Sequence, residues 1–179
     1  MSRAYALRPG RADEAAALIG IERRACELLR GHEAHAAFSR HTLAPEDHAE
    51  AAAHGRLWVA DCAGRALGYA LYAPLDGAAH LAQMDVDPGY GRRGIGRALL
   101  EQVCVRAAEE GFDRITLITL RDVPWNAPFY ARAGFAPLAP GECTPGLRAA
   151  FEQERRLGFP MHLRVAMQRP LGRPVRPAG

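Results

Sequence analysis

The run Val86-Asp87-Pro88-Gly89-Tyr90-Gly91-Arg92-Arg93-Gly94-Ile95-Gly96-Arg97 joins the end of an apolar stretch to a glycine-lined, arginine-rich helix start. These residue types at this junction suit phosphate. Main-chain amides at a helix N-terminus lack partners and point outward together, and glycines let a diphosphate reach the backbone without meeting a Cβ. The positive charge is guanidinium throughout, because the sequence contains arginine and no lysine, which favours forked contacts over point contacts. The run is read as neither a dinucleotide-binding fold nor a P-loop. No Lys-Ser or Lys-Thr pair follows it to hold nucleotide phosphates and magnesium.

The flanking elements must present this loop. Ile95, Leu99, Val103 and Ala107 recur at helical spacing beside Leu100 and Cys104, which predicts a helix over 94–110 ending near Gly111. Ahead of it, 80–86 reads as a strand closing at Pro88; behind it, 114–120 is a second strand of high β propensity. Strand, turn, helix and strand make a βαβ unit with parallel strands.

Met84-Asp85-Val86-Asp87-Pro88-Gly89-Tyr90, followed by Arg92-Arg93-Gly94-Ile95-Gly96-Arg97-Ala98-Leu99-Leu100, resembles the acetyl-CoA motif of the GNAT superfamily of N-acetyltransferases. Gly94 and Gly96 fit the pattern, whereas Gly91 stands where the family usually carries Gln or Arg. The block Val123-Pro124-Trp125-Asn126-Ala127-Pro128-Phe129-Tyr130-Ala131-Arg132-Ala133-Gly134-Phe135 is similar to the later family motif. The resemblance covers roughly residues 4–139 and extends to a strand at 163–168. It implies an α/β fold with a central mixed, mostly antiparallel sheet, flanked by helices and split by a splayed parallel strand pair. It also implies acetyl-CoA as donor and CoA as product. The CoA contacts it implies are Gly91, Arg92, Arg93, Gly94, Ile95, Gly96 and Arg97 around the diphosphate, Met84 and Val86 along the pantetheine arm, and Asn126 and Tyr130 nearby. Tyr130 is the implied proton donor to the departing thiolate.

The residues themselves support a short helix here: Asn126 suits an N-cap, Pro128 is tolerated in a first turn, and Gly134 suits a left-handed C-terminal position. Phe129 is expected in the core and Tyr130 at a cleft. Trp125 is placed on a channel wall or in ordinary packing.

Amine acetylation also needs the amine deprotonated. Asp85 lies near the expected thioester position and shares a strand face with Gln83, which cannot act as a base. Glu22, Glu33, Asp122, His80 and a water chain stay open as proton routes. The acceptor is expected to be a small-molecule or peptide amine. A noncatalytic CoA-binding or regulatory domain on the same scaffold is the alternative.

The remaining sequence bounds these readings. A length of 179 residues with 49% hydrophobic composition suits one domain over 1–169, with a flexible tail expected over 170–179. A net charge of +3 without a basic face interleaved with aromatics argues against a nucleic-acid partner. No apolar run suits a membrane span or secretory signal, and Cys26, Cys62, Cys104 and Cys143 are widely spaced, which together favour the cytoplasm. Cys104 is read as part of the buried helix face and Cys62 as packing beside a strand. His32, His35 and His41 form no compact ligand pattern, so no metal is expected. A strand at 5–8, an alanine-rich helix after Asp13-Glu14 continuing to 29, a polar stretch around 32–35, a helix over 45–54, and adjacent strands at 57–60 and 67–72 complete the first half; within residues 31–55 no other element is read. A helix over 146–158 is expected to cover the substrate entrance or a homodimer face.

Overall fold

The computed structural model describes residues 5–172, and the expected tail beyond 172 lies outside the described residues. A seven-stranded sheet runs in the order β1-β2-β3-β4-β5-β7-β6, with β1 at Ala6–Pro9, β2 at Leu57–Cys62, β3 at Arg65–Leu75, β4 at Ala78–Val86, β5 at Arg114–Leu120, β6 at Ala136–Pro137 and β7 at Arg164–Pro170. Every neighbouring pair is antiparallel except β4 with β5. This is the mixed, mostly antiparallel architecture the sequence implies. The β2–β3 connection turns through Ala63 (φ 52°) and Gly64 (φ 83°), two successive left-handed residues that match the twist of a tight hairpin.

The helices cover both faces. Helix α4, Ile95–Glu109, buries Leu99, Leu100, Val103 and Ala107 against Tyr72, Ile115 and Leu117. On the opposite face, α1 (Ala15–Cys26) and α3 (Pro45–Ala53) bring Leu18, Ile21 and Ala51 onto Leu57, Val59, Tyr69 and Leu71. Tyr69 and Tyr72 therefore serve opposite faces, as their parity requires. Short α2 (His35–Arg40) forms just past the polar stretch, where the sequence shows no element, because Ala37 is buried and Phe38 packs beside Leu29, Ala34 and Leu120. Helix α5 spans Ala127–Arg132 and α6 spans Pro145–Arg156, the latter seated through Leu147 beside Cys143 and Ala166.

Cys104 is buried on α4, but Cys62 is exposed at the end of β2, where the hairpin turns its side chain outward rather than into packing. At the C-terminal side β7 continues through Pro170, and Leu171 is packed in the core with its N–H donated to Asp113 O at 2.7 Å.

Two backbone features shape the centre of the sheet. Opposite β3, Tyr72 pairs with Leu81 and Leu71 with Gln83, so Ala82 is an unpaired bulge residue. The extra residue reverses side-chain parity along β4. Leu81 faces α4, and beyond the bulge Gln83 and Asp85 face α1 while Met84 and Val86 face α4. At Gly68, paired with Val86, an added Cβ would lie 2.8 Å from Asp85 O, so β3 hugs the end of β4 only because this residue has no side chain.

Candidate active site

The pairing of β4 with β5 spans Ala79↔Ile115 and His80↔Thr116. Beyond that rung the two parallel strands part. Asp87 donates its N–H to Leu67 O at 2.8 Å. By the alternation of an antiparallel ladder Asp85 also turns its main-chain groups to β3, and Met84 and Val86 turn theirs into the gap left by β5. The gap is thus lined on one side by unsatisfied strand edge, able to take an extended amide-bearing ligand as a strand takes a neighbour.

The loop between β4 and α4 is held open at the same end. Asp87, 6% exposed, accepts from Gly89 N at 3.1 Å and pairs with Arg24 at 2.9 Å. Arg65 and Arg93 lie over the Tyr90 ring at 5.3 and 5.2 Å. Arg92 (φ 60°) and Gly94 (φ 78°) are left-handed, and the first main-chain bond of the helix runs from Ala98 N to Gly94 O at 3.0 Å. The amides from Gly94 to Arg97 therefore project without intrahelical acceptors. A Cβ at Gly96 would sit 3.6 Å from Val86 Cγ2 and 3.9 Å from Phe129 Cζ, so this glycine lies where α4, β4 and α5 converge. Arg97 is committed to Glu101 at 3.0 Å and to Arg132 O at 3.2 Å. Among the described residues Arg92 has no ion-pair partner, which leaves its guanidinium available beside the open amides. Gly89, Gly91 and Gly94 stand at Gly-x-Gly-x-x-Gly spacing, yet the antiparallel partner of β4 excludes the dinucleotide fold that this spacing marks elsewhere.

Helix α5 borders the gap opposite this loop. Asn126 occupies the N-cap position but makes no side-chain cap bond, so its amide is not spent on the helix as the sequence suggests. Gly134 is left-handed as expected, with φ 87°. The expected division between Phe129 and Tyr130 is reversed. Tyr130 is 7% exposed within the core cluster, between Phe129 at 5.2 Å and Phe135 at 5.6 Å, while Phe129 is only half-buried. The short helix starts with Pro128 in its first turn, which rotates Tyr130 inward. Its hydroxyl has no hydrogen-bond partner in the described residues. Burial, then the nearby Asp85 charge, holds its pKa well above that of a free phenol. Trp125 is half-exposed beside this helix.

Asp85 faces α1, and its charge reaches Glu22 on that helix. Asp85 lies deep in the cleft, and desolvation pushes its carboxyl pKa up to about 6 despite the 2.6 Å hydrogen bond donated by Gln83 Nε2. Glu22, 8% exposed on α1, is pushed up to about 7 by burial and then by the Asp85 charge. Its carboxylate accepts from Leu43 N at 3.3 Å and from the Tyr69 hydroxyl at 3.4 Å. Each carboxyl is held near neutrality by taking it out of water, and ionising one disfavours ionising the other.

The other proton-route residues are placed elsewhere. Asp122 pairs with His32 at 3.0 Å, which holds its carboxyl below the usual range, and Glu33 pairs with His162 at 3.2 Å on the surface. His80 bonds Thr116 Oγ1 at 2.9 Å on the last paired rung, where burial lowers its pKa to about 4. His35 and His41 turn to Glu27 and to Leu157 O, and no group of three or more His, Cys, Asp or Glu converges among the described residues.

Sequence reasoning missed a box beyond the carboxylates. Arg164, 7% exposed, stacks with Phe38 at 5.3 Å and Phe159 at 5.5 Å and bonds Glu154 at 2.7 and 2.8 Å. Its charge reaches Tyr130 and lowers that residue's pKa against the larger effect of burial. No periodic signal links these residues, since they lie on α2, on α6, in the turn that follows α6 and at the start of β7.

Comparison with solved structures returns the same frame. N-acetylglutamate synthase from Neisseria gonorrhoeae, in complex with coenzyme A and N-acetyl-glutamate, is 16% identical with a TM-score of 0.72, over 94% of this chain and 35% of that one. The chain thus spans about a third of that relative's length. PaiA N-acetyltransferase from Thermoplasma acidophilum, in complex with coenzyme A, is 16% identical with a TM-score of 0.68, over 95% of this chain and 99% of that one. The ribosomal-protein-S18-alanine N-acetyltransferase from Escherichia coli is 19% identical with a TM-score of 0.62, over 98% and 96%. The model of the acetyltransferase (GNAT) family matches residues 22–135, which takes in the end of α1 from Glu22, the bulged strand, the β4–α4 loop and Tyr130. With the splayed strand pair and the open amides at α4, that match makes this chain a member of the GNAT family of acetyltransferases.

Proposed function

We propose that this protein transfers an acetyl group from acetyl-CoA to a primary amine by direct attack. One observation carries the reading: the free half of β4 holds the Asp85 carboxyl, poised near pH 6, within electrostatic reach of both the Glu22 carboxyl and the Tyr130 hydroxyl. Acetyl-CoA supplies the activated thioester carbonyl. The open amides of Gly94, Ile95, Gly96 and Arg97, the backbone at Gly91 and the charges of Arg92 and Arg93 would hold its diphosphate. The free edge at Met84 and Val86 would pair with the pantetheine amides, and the uncapped Asn126 side chain would add a polar contact to the cofactor. The fit rests on Gly96, whose missing side chain keeps the space between Val86 and Phe129 clear.

Asp85 takes a proton from the bound ammonium and frees the nitrogen lone pair. Glu22 limits the charge that collects there, because it keeps its own proton more firmly once Asp85 has ionised. The nitrogen then forms the new C–N bond as the C–S bond breaks. An inward-facing amide of the β4 edge offsets negative charge on the carbonyl oxygen. Tyr130, protonated throughout the neutral range, gives its proton to the leaving sulfur, and the second proton shed by the new amide nitrogen restores the phenol. The two carboxyls offer a proton route, which favours the enzyme over the noncatalytic alternative.

The acceptor is a small-molecule or peptide amine. One similar structure carries N-acetyl-glutamate and another is named for a ribosomal protein's alanine, so both acceptor classes occur on this frame. Free Cys26, Cys62, Cys104 and Cys143 suit a reducing compartment such as the cytoplasm, and no described helix is long and apolar enough to cross a membrane. Acetyl-CoA-dependent release of free CoA across a panel of amines tests the proposal. Stoichiometric acetylamine and CoA support it, whereas CoA binding without turnover on any amine would return the chain to the class of binding modules.

A further inference from the structure

A cavity of about 430 Å³ opens between α6 and the start of β7. Its apolar wall includes Leu138, Phe151, Met161 and Val165, and four guanidiniums line it: Arg121, Arg148, Arg155 and Arg164. Two of the four are neutralised. Arg164 is paired with Glu154 at 2.7 Å and Arg155 with Glu152 at 3.3 Å. Arg121 donates to Arg164 O at 2.9 Å and Arg148 donates to Cys143 O. Neither has a carboxylate within ion-pair distance among the described residues. Asp76 feels the Arg148 charge from farther off but is itself held by Gly146 N and Thr144. A concave, partly apolar surface with surplus guanidinium charge is matched by an organic anion.

The cavity lies at the same end of the sheet as the reacting gap, on the β7 side of β5. Arg121 follows the C-terminal end of β5, and Arg164 pairs with Leu120 at that same end, from which β4 has parted. Arg164 belongs to the cavity wall and its charge reaches Tyr130. Val165 lines the cavity and also packs on the core cluster that contains Tyr130. The charge pattern is therefore bipolar: the half-buried Asp85 and buried Glu22 carboxyls suit a cationic nitrogen, and the arginines suit a negative group farther out.

We propose that the acceptor is an amino acid in the broad sense, an amine joined by a short apolar chain to a carboxylate, with the carboxylate seated by Arg121 and Arg148. This rests on the acetyltransferase reading above. The test compares glycine, β-alanine, γ-aminobutyrate and aminocaproate, each beside its own carboxamide, as acceptors in CoA-release assays and as ligands in titration calorimetry. At least one carboxylate should exceed its amide by about tenfold or more in kcat/KM, the scale of a charge-assisted contact. The Arg121→Gln/Arg148→Gln variant should bring that ratio close to one, and Arg121→Lys should retain part of it. Ratios near one in the unaltered protein, or a preference that survives the double variant in a protein with unchanged circular dichroism, overturn the proposal. Butyrate that binds the cavity without competing with the acceptor assigns it to a separate anion and also overturns it. If no amine turns over, calorimetry separates the two failures: arginine-dependent binding of a carboxylate acceptor keeps this site and discards only the catalytic reading, and its absence discards both.

Discussion

The two halves of β4 are made from one continuous strand yet do different work. From Ala78 to Leu81 it is flanked on both sides, with Ala79 wholly buried and Leu81 5% exposed in the core. After the bulge at Ala82 it keeps β3 as its partner and turns its other edge to the gap. The first half is stabilised by burial and paired main-chain groups. The second gives up pairing and places a carboxyl where desolvation opposes its ionisation. Stability and reactivity are thus separated by one inserted residue, without any change of element.

The largest expected effect falls on the free half: Asp85→Asn should lower kcat/KM by about a thousandfold, the middle of the range for general base catalysis, with CoA affinity retained in calorimetry. A comparable loss of CoA binding would mean that the two halves are not functionally distinct. In the paired half the order reverses, and Leu81→Ala should cost about 3 kcal/mol of stability in denaturant titrations while kcat at a permissive temperature stays near the parent value. Tyr130→Phe, across the gap, should reduce kcat about a hundredfold and change CoA affinity far less; equal losses in both would reassign the ring to packing alone.

Asp85 offers a finer measure. Its folded pKa of about 6 lies above its ordinary 3.8, so the folded state binds the proton more tightly. The associated stability is complete below pH 4 and is lost as pH rises through 6, by about 2 kcal/mol when discounted for partial solvent access. Acetyl transfer should rise over that same window as the base is freed. Thermal melts of the parent and Asp85→Asn against pH should therefore converge at the acid end and separate toward neutrality, with the variant the more stable there. The smallest effect belongs to Gly94→Ala, which strains a left-handed position by about 1 kcal/mol and should weaken CoA binding modestly, as read by calorimetry.

The cofactor side was legible in the sequence because its chemistry is local: glycines, arginines and a helix start lie consecutively from Gly89 to Arg97. The strands and helices around it follow from periodicity, and α4, β5 and the last strand end within a few residues of expectation. The acceptor side was only partly legible. Asp85 and Glu22 could each be named as candidate groups, but their coupling depends on α1 crossing the sheet and on a bulge that no composition marks. Tyr130 could be assigned a place in the site, while its inward orientation depends on how a six-residue helix docks beside Phe135. Short α2 escaped notice because its apolar contact is little more than Ala37 and Phe38, too few positions to show a period. Arg164 gave no signal at all, since its partners come from three separate segments.

Gly68 governs the calibre of the gap between β4 and β5 from behind. Even a methyl group there would wedge the backbone of β4 away from its neighbour, toward the path of the incoming donor. A survey of ligand-touching positions would pass over this residue, although it offers a single-site means of narrowing the passage while every reacting group stays chemically intact.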